Sequence, residues 1–188
     1  MVTTTMPIIA NMIVFGHSKD GDILLEPAQT CLCPECGKGL LKIRSRVRRH
    51  SRKEETGEKV WYQIPVGKCE TCGRMCRMLP DSMVPYKHYE ERVITKALNG
   101  HYPGKTIYLP SVQTIRRWTA WLGANKARIE GLFRSVGYRM LGFHEDLLFD
   151  TAPLLEKLRR DTDHWLQKTI RFIYNSGHHL RKRKINWR

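Results

Sequence analysis

Two cysteine knuckles of one design dominate this sequence: Cys33-Pro-Glu-Cys36-Gly-Lys and Cys69-Glu-Thr-Cys72-Gly-Arg. A glycine directly after the second cysteine lets the chain turn tightly, so that amide N–H groups point back at the thiolate sulfurs. Two such knuckles meeting across a hairpin place four sulfurs at the corners of a tetrahedron, the geometry of closed structural zinc sites. Between Cys36 and Cys69 lie 32 residues, room for two strands and a turn. The alternating segments "LLKIRSRVRRH" and "VWYQIPVG", joined by the polar "SRKEETGEK", supply them. The pattern predicts one structural Zn2+ held by Cys33, Cys36, Cys69 and Cys72. So small a module buries too little apolar surface by itself, and the metal is expected to be part of the fold. Cys31 and Cys76 are left over; each either replaces an assigned ligand or packs beside the site as a small buried side chain. A thioredoxin-like redox use needs only one pair and leaves the second unexplained.

The stretch after the first knuckle is basic. No acidic residue occurs between Gly37 and Lys53. On a strand, successive side chains alternate between faces. Lys42, Arg44, Arg46 and Arg48 are therefore expected on one face, with Leu41, Ile43 and Val47 on the other. The partner strand adds Val60, Tyr62, Ile64 and Val66 to the apolar face. Arg49, Arg52 and Lys53 extend the cations into the turn, and their spacing of about 6.6–7 Å suits successive phosphates. The bland alternative is a solvated face, but such faces normally mix both signs. Over the whole chain 33 Lys and Arg outnumber 18 Asp and Glu, giving +15, and such a surplus usually meets a polyanion, most often nucleic acid.

Four units are expected along the chain. Residues 1–30 form a strand, "IIANMIVF", and a Gly/Asp turn; 31–86 form the four-cysteine zinc-ribbon domain. Residues 87–150 form a helix-turn-helix-like domain, and 151–188 an amphipathic helix with a basic tail. Two prolines in "LPDSMVPYKHY" mark a linker near 79–87. "YEERVITKALNG" reads as a helix with Tyr89, Val93, Ile94, Ala97 and Leu98 inward, stopped by Gly100. "SVQTIRRWTAWLG" is a second helix, N-capped by Ser111 and stopped by Gly123. Val112, Ile115, Trp118 or Thr119, and Leu122 are its expected buried stripe, leaving Gln113, Thr114, Arg116, Arg117 and Ala120 outside. Gln and Arg can pair with base edges, Thr can meet a thymine methyl, and Ser111 can bond a phosphate. This is what a recognition helix needs, although about ten residues before it exceed a standard helix-turn-helix turn. "ANKARIEGLFRSV" and "APLLEKLRRDTDHWLQKTIRFIYNSG" are two further amphipathic helices. In the latter, Leu154, Leu155, Leu158, Trp165, Leu166, Ile170 and Ile173 serve as core or as a homodimer seam. The tail "HHLRKRKINWR" is a basic arm whose Trp187 could stack on a base.

No enzyme is expected. His178-His179-Leu180-Arg181 has the H-x-x-R form of tyrosine recombinases, but no tyrosine follows Tyr174. Asp146, Asp150, Asp161 and Asp163 fall in helical or loop sequence without the strands a two-metal nuclease requires, and there is no Gly-rich phosphate loop. No apolar run approaches the roughly 20 residues of a membrane span. The N-terminus lacks the basic start of a signal peptide. A cytoplasmic, nucleoid-associated protein is expected.

The order "CPECG…C-x-x-CGR…LPDSMVPYKHY…SVQTIRRW" resembles small bacterial zinc-ribbon proteins linked to transposons. It is also similar to the N-terminal zinc-ribbon and helix-turn-helix portions of some insertion-sequence transposases. The likeness covers roughly residues 31–122. It implies Cys33, Cys36, Cys69 and Cys72 as ligands and an accessory or regulatory DNA-binding role in a mobile element, with cutting left to a transposase or recombinase partner. The expected fold class is α+β: a β-rich zinc ribbon with four cysteine ligands, followed by an all-helical half. The expected function is zinc-stabilised binding of double-stranded DNA. The alternatives are an RNA-binding zinc-ribbon protein and an adaptor that docks a transposase, integrase or host factor.

Overall fold

The computed structural model describes residues 5–101, 110–137 and 153–181 of the chain. It is α+β, with a β-rich N-terminal half and a helical C-terminal half. The strands are β1 (Ile8–Ile9), β2 (Met12–His17), β3 (Ile23–Pro27), β4 (Leu41–Arg52), β5 (Lys59–Cys69), β6 (Met75–Arg77) and β7 (Leu79–Pro80). The described helices are α1 (Glu91–Leu98), α2 (Val112–Leu132), α3 (Leu154–Asp161) and α4 (Trp165–Asn175), with a π-helical turn, Phe133–Gly137, after α2.

The long β4–β5 hairpin is the frame. It pairs antiparallel from Leu41↔Cys69 to Arg52↔Lys59. The other edge of β5 is shared: β3 lies parallel to it at Tyr62 and Gln63, and β6 antiparallel at Val66 to Lys68. β2 pairs with β3 and forms the outer edge. "IIANMIVF", expected as one strand, divides in two because its start belongs to the helices. The Ile8 amide donates to Asn175 Oδ1 at 2.7 Å and its carbonyl accepts from Asn175 Nδ2 at 2.9 Å. This draws β1 away to pair with β7.

One apolar cluster runs from Met6 to Leu180 and crosses the expected boundaries after residues 30 and 86, since Leu25, Tyr62 and Ile94 all belong to it. The expected boundary after 150 lies outside the described residues. Segment 79–87 is packed rather than a solvated linker: Leu79, Met83 and Val84 are at most 2% exposed. Its prolines shape a turn, with Met83 N–H donating to the Pro80 carbonyl at 3.0 Å.

The first helix matches expectation and ends before Gly100, whose φ of +76° suits a glycine stop. The second does not stop at Gly123. Trp121, Leu122, Asn125 and Ile129 continue one buried stripe past it, and that packing outweighs the roughly 1 kcal/mol cost of a mid-helix glycine. Val112, expected inward, is 66% exposed, because the first turn of α2 projects beyond the core. The last expected helix breaks at "DTD". Thr162 is extended (φ −157°, ψ 139°) and its hydroxyl accepts from the His164 amide at 3.2 Å, a local bond that competes with the helix. Leu154, Leu155, Leu158, Trp165, Leu166, Ile170 and Ile173 are all core within this one chain. No described helix is long and apolar enough to cross a membrane.

Candidate metal centre and basic surface

The hairpin brings the two knuckles together at its open end. Cys33 Sγ lies 3.7 Å from Cys72 Sγ, and Cys36 Sγ lies 3.7 Å from Cys69 Sγ. All four sulfurs fall within 4.8 Å of one another, so this set can hold a metal ion. A tetrahedron with Zn–S of about 2.3 Å has edges of about 3.8 Å, and the short pairs fit it. The turns follow the sequence argument: Gly37 and Gly73, each directly after a second cysteine, have φ of +66° and +70°. The Gly39 amide points at Cys36 Sγ and the Cys72 amide at Cys69 Sγ, each at 3.4 Å.

Gly39 went unnoticed in the sequence. A Cβ there would stand 2.4 Å from Cys69 Sγ, so no other residue fits; the repeated glycine of "CGKG" was the available signal. The amides of Gly39 and then Lys38 hold the Cys36 thiol down at about 6. At Cys72 the Arg74 amide favours the thiolate, but burial and the neighbouring thiols win and push it up to about 12. Four crowded thiols cannot all ionise unaided, and a divalent cation is what removes that conflict. With four sulfur donors and no open position, such a centre would be structural. Cys76 is fully buried against Cys33 and Cys69, and Cys31 packs at the edge of the same small cluster. Both lie outside the four-sulfur group.

The expected row of four cations is divided. A register shift between Ile43 and Ser45 pairs Ile43 with Gly67 but Ser45 with Val66. Directly opposed residues share a face, so Lys42 lies on the opposite face from Arg46 and Arg48, and Ile43 is left 39% exposed. Beyond the shift, Arg49 sits on the core face. It is half-buried, and its guanidinium donates to the carbonyls of Val84 (2.8 Å) and Lys87 (2.7 Å). Burial, and next Arg77, lower it to about 10.

Most of the remaining row is paired. Lys42 meets Glu70 at 2.6 Å, and Arg46 binds Glu26 and the Leu25 carbonyl. Arg48 grips Asp22 through two bonds of 2.8 and 3.0 Å. Arg44 alone of the five is exposed without an ion pair among the described residues. For Arg46 and Arg48 the cause is β3, which the sequence reading missed and which, on the far side of β5, brings Glu26 and the preceding Asp22 within their reach. The acid excess of residues 1–30, three against one, was its signal.

Arg48, through its hydrogen bonds, holds the nearly inaccessible Asp22 carboxyl below its usual value, burial opposes this, and Gln63 adds to it. A depressed native value stabilises the fold above pH about 4 and loses that effect as pH falls through the native value. Asp22→Asn is therefore expected to lower the urea midpoint at pH 7, with the deficit shrinking toward pH 3. An equal deficit at both values would remove the ion pair from the account.

On the Arg46–Arg48 face the side chains form an unexpected aromatic stack. Trp61 has Arg48 Cζ 4.1 Å and Lys59 Nζ 4.4 Å from its ring centre. His50 meets Trp61 edge-on at 4.8 Å and stacks on His88 at 4.3 Å.

At the start of α2 the expected arrangement is largely present. Ser111 Oγ accepts from the Thr114 amide at 3.3 Å, capping the helix. Trp118 and Leu122 are buried, while Gln113, Arg116 and Arg117 are exposed and Thr114 is half-buried. Neither arginine makes an ion pair among the described residues, and no Asp or Glu occurs from Arg92 to Ile129. The basic tail from Lys182 to Arg188, with Trp187, lies outside the described residues, as do Asp146 and Asp150. A family model described as a domain of unknown function (DUF6431) matches residues 33–118, from the first cluster cysteine to the first buried tryptophan of α2. No curated protein and no solved structure matches the chain.

Proposed function

We propose that this chain is a zinc-stabilised protein that binds double-stranded DNA, with the β4–β5 ribbon meeting phosphates and the first turns of α2 reading bases. One observation carries the reading. Gln113, Arg116 and Arg117 stand outward on a capped helix that is anchored from behind by Trp118 and Leu122, in a stretch without any carboxylate. Such a helix offers planar, paired donors at fixed positions, which base edges require. α1 packs against α2 as the supporting member of a helix-turn-helix-like pair. The accessory or regulatory role in a bacterial mobile element, beside a transposase or recombinase, rests on the likeness of residues 31–122, and nucleoid association would accompany DNA binding.

The test is a pair of substitutions read against several DNA sequences and a single-stranded RNA at fixed salt. Arg116→Ala is expected to cost about 1–3 kcal/mol on the preferred site and to flatten sequence preference. Arg44→Ala is expected to weaken all duplexes alike. Identical behaviour of the two would remove the division of labour, and tighter binding of the RNA would move the reading to that class.

A second reading, an adaptor that docks a protein, is favoured by β2. This edge strand exposes Ile13, Val14 and Phe15 by 51, 61 and 59%, and apolar edges invite another chain. Its mark is a stable complex that survives Arg116→Ala with Arg117→Ala.

A further inference from the structure

Between the 85–89 loop, the first half of α2 and the segment after α4, the fold leaves a cleft of about 360 Å³. That is the scale of sites for small ligands, about 300–1,000 Å³. Aromatic side chains make up much of its wall; Tyr86, 37% exposed, and the half-buried Tyr89 offer accessible rings, while Trp118 and Trp121 are 4% and 5% exposed. Its charged lining is wholly basic, with Lys87, Arg117 and Arg181 beside His88 and no Asp or Glu.

The cleft is held open by the fold. Arg49 fixes its loop through the carbonyls of Val84 and Lys87. Tyr86 has φ of +63°, a left-handed value that bulky residues rarely adopt and that costs energy to maintain. Lys87 places Nζ 4.4 Å from the Trp121 ring centre and makes no ion pair among the described residues. Burial without an anionic partner lowers it to about 8; an arriving anion would relieve that penalty.

Aromatic walls accept any base by stacking, and cations beside them accept its phosphate. A free carboxylate or sulfate would leave the rings unused, and an apolar ligand would leave the cations unused. Within a continuous duplex both faces of every base are covered by neighbours. A base face becomes available where a nucleotide is unpaired.

We infer that this cleft takes one unpaired nucleotide of a DNA strand, its base against the accessible rings of Tyr86 and Tyr89 and its phosphate at Lys87 and Arg117. The inference rests on the DNA-binding reading above and adds to it a preference for duplexes with an unpaired end. Arg117 belongs to both surfaces, so a nucleotide in the cleft would be continuous with DNA lying along α2.

The experiment compares a blunt duplex with the same duplex carrying one unpaired 2-aminopurine nucleotide at an end. The unpaired form is expected to bind about 10-fold tighter, as one stacked base allows, with quenching of the 2-aminopurine fluorescence. Lys87→Met, which keeps the aliphatic contact with Trp121, is expected to erase both the preference and the quenching while leaving blunt-duplex affinity unchanged. Equal affinity for the two duplexes without quenching would overturn the cleft assignment and leave DNA binding standing; that comparison needs no variant. Failure to bind either duplex would overturn both. Full competition by free deoxyadenosine monophosphate at the duplex concentration would reassign the cleft to a free nucleotide and overturn the proposal.

Discussion

Cys69→Ser is expected to melt the open end of the hairpin, and treatment of the native protein with a strong chelator to do the same reversibly. The local core there is small: Cys33, Leu41, Cys69, Cys76 and Met78 are its buried members. By area alone a cluster of that size contributes little against the entropy of ordering the knuckles. Structural zinc in such modules supplies about 10–16 kcal/mol, as much as the whole stability of an ordinary domain, about 5–15 kcal/mol. Elemental analysis should find one zinc per chain, and hydrogen exchange after chelation should rise in residues 31–41 and 67–78. Cys31→Ser should leave the metal content unchanged, since Cys31 stands outside the four-sulfur group. A native protein free of stoichiometric metal, or a chelated one with unchanged exchange, would refute the centre.

The second large effect is in the salt dependence of DNA binding. About six phosphate contacts give a log–log slope near −5, so affinity should fall about 1,000-fold between about 50 and 200 mM salt. The structure decides which cations contribute. Arg46 and Arg48 already hold Glu26 and Asp22, and a phosphate would have to compete with those carboxylates. Arg44, Arg116 and Arg117 have no such partner among the described residues, and the sequence from Arg181 onward adds more basic residues. Arg44→Gln should therefore reduce the slope by about 1, and Arg46→Gln by less. A nearly flat slope would argue against a nucleic-acid partner altogether.

The four-cysteine cluster was legible because its determinants are local. Two cysteines three residues apart and a glycine behind them prescribe a knuckle wherever it falls, and Gly37 and Gly73 adopt the positive φ that the pattern demands. The capped start of α2 was legible for the same reason: Ser111 and Thr114 are three residues apart. The cation row misled because alternation assumes an unbroken register. One extra residue near Arg44 put Lys42 on the opposite face from Arg46 and Arg48, and no local preference announces that shift.

The sequence by itself determined the paired knuckles, the strand–turn–strand between them, the capped helix and the sign of the surface, since each depends on neighbours within a few positions or on composition. Tertiary structure alone decided which cations stay unpaired, where α2 ends and that Tyr86, Lys87, Trp118 and Trp121 share one cleft. Those outcomes depend on contacts between residues far apart in the chain: Asp22 with Arg48, Asn125 with Arg181, Ile8 with Asn175. The free energy of such a contact belongs to the folded pair, and neither member carries its trace alone.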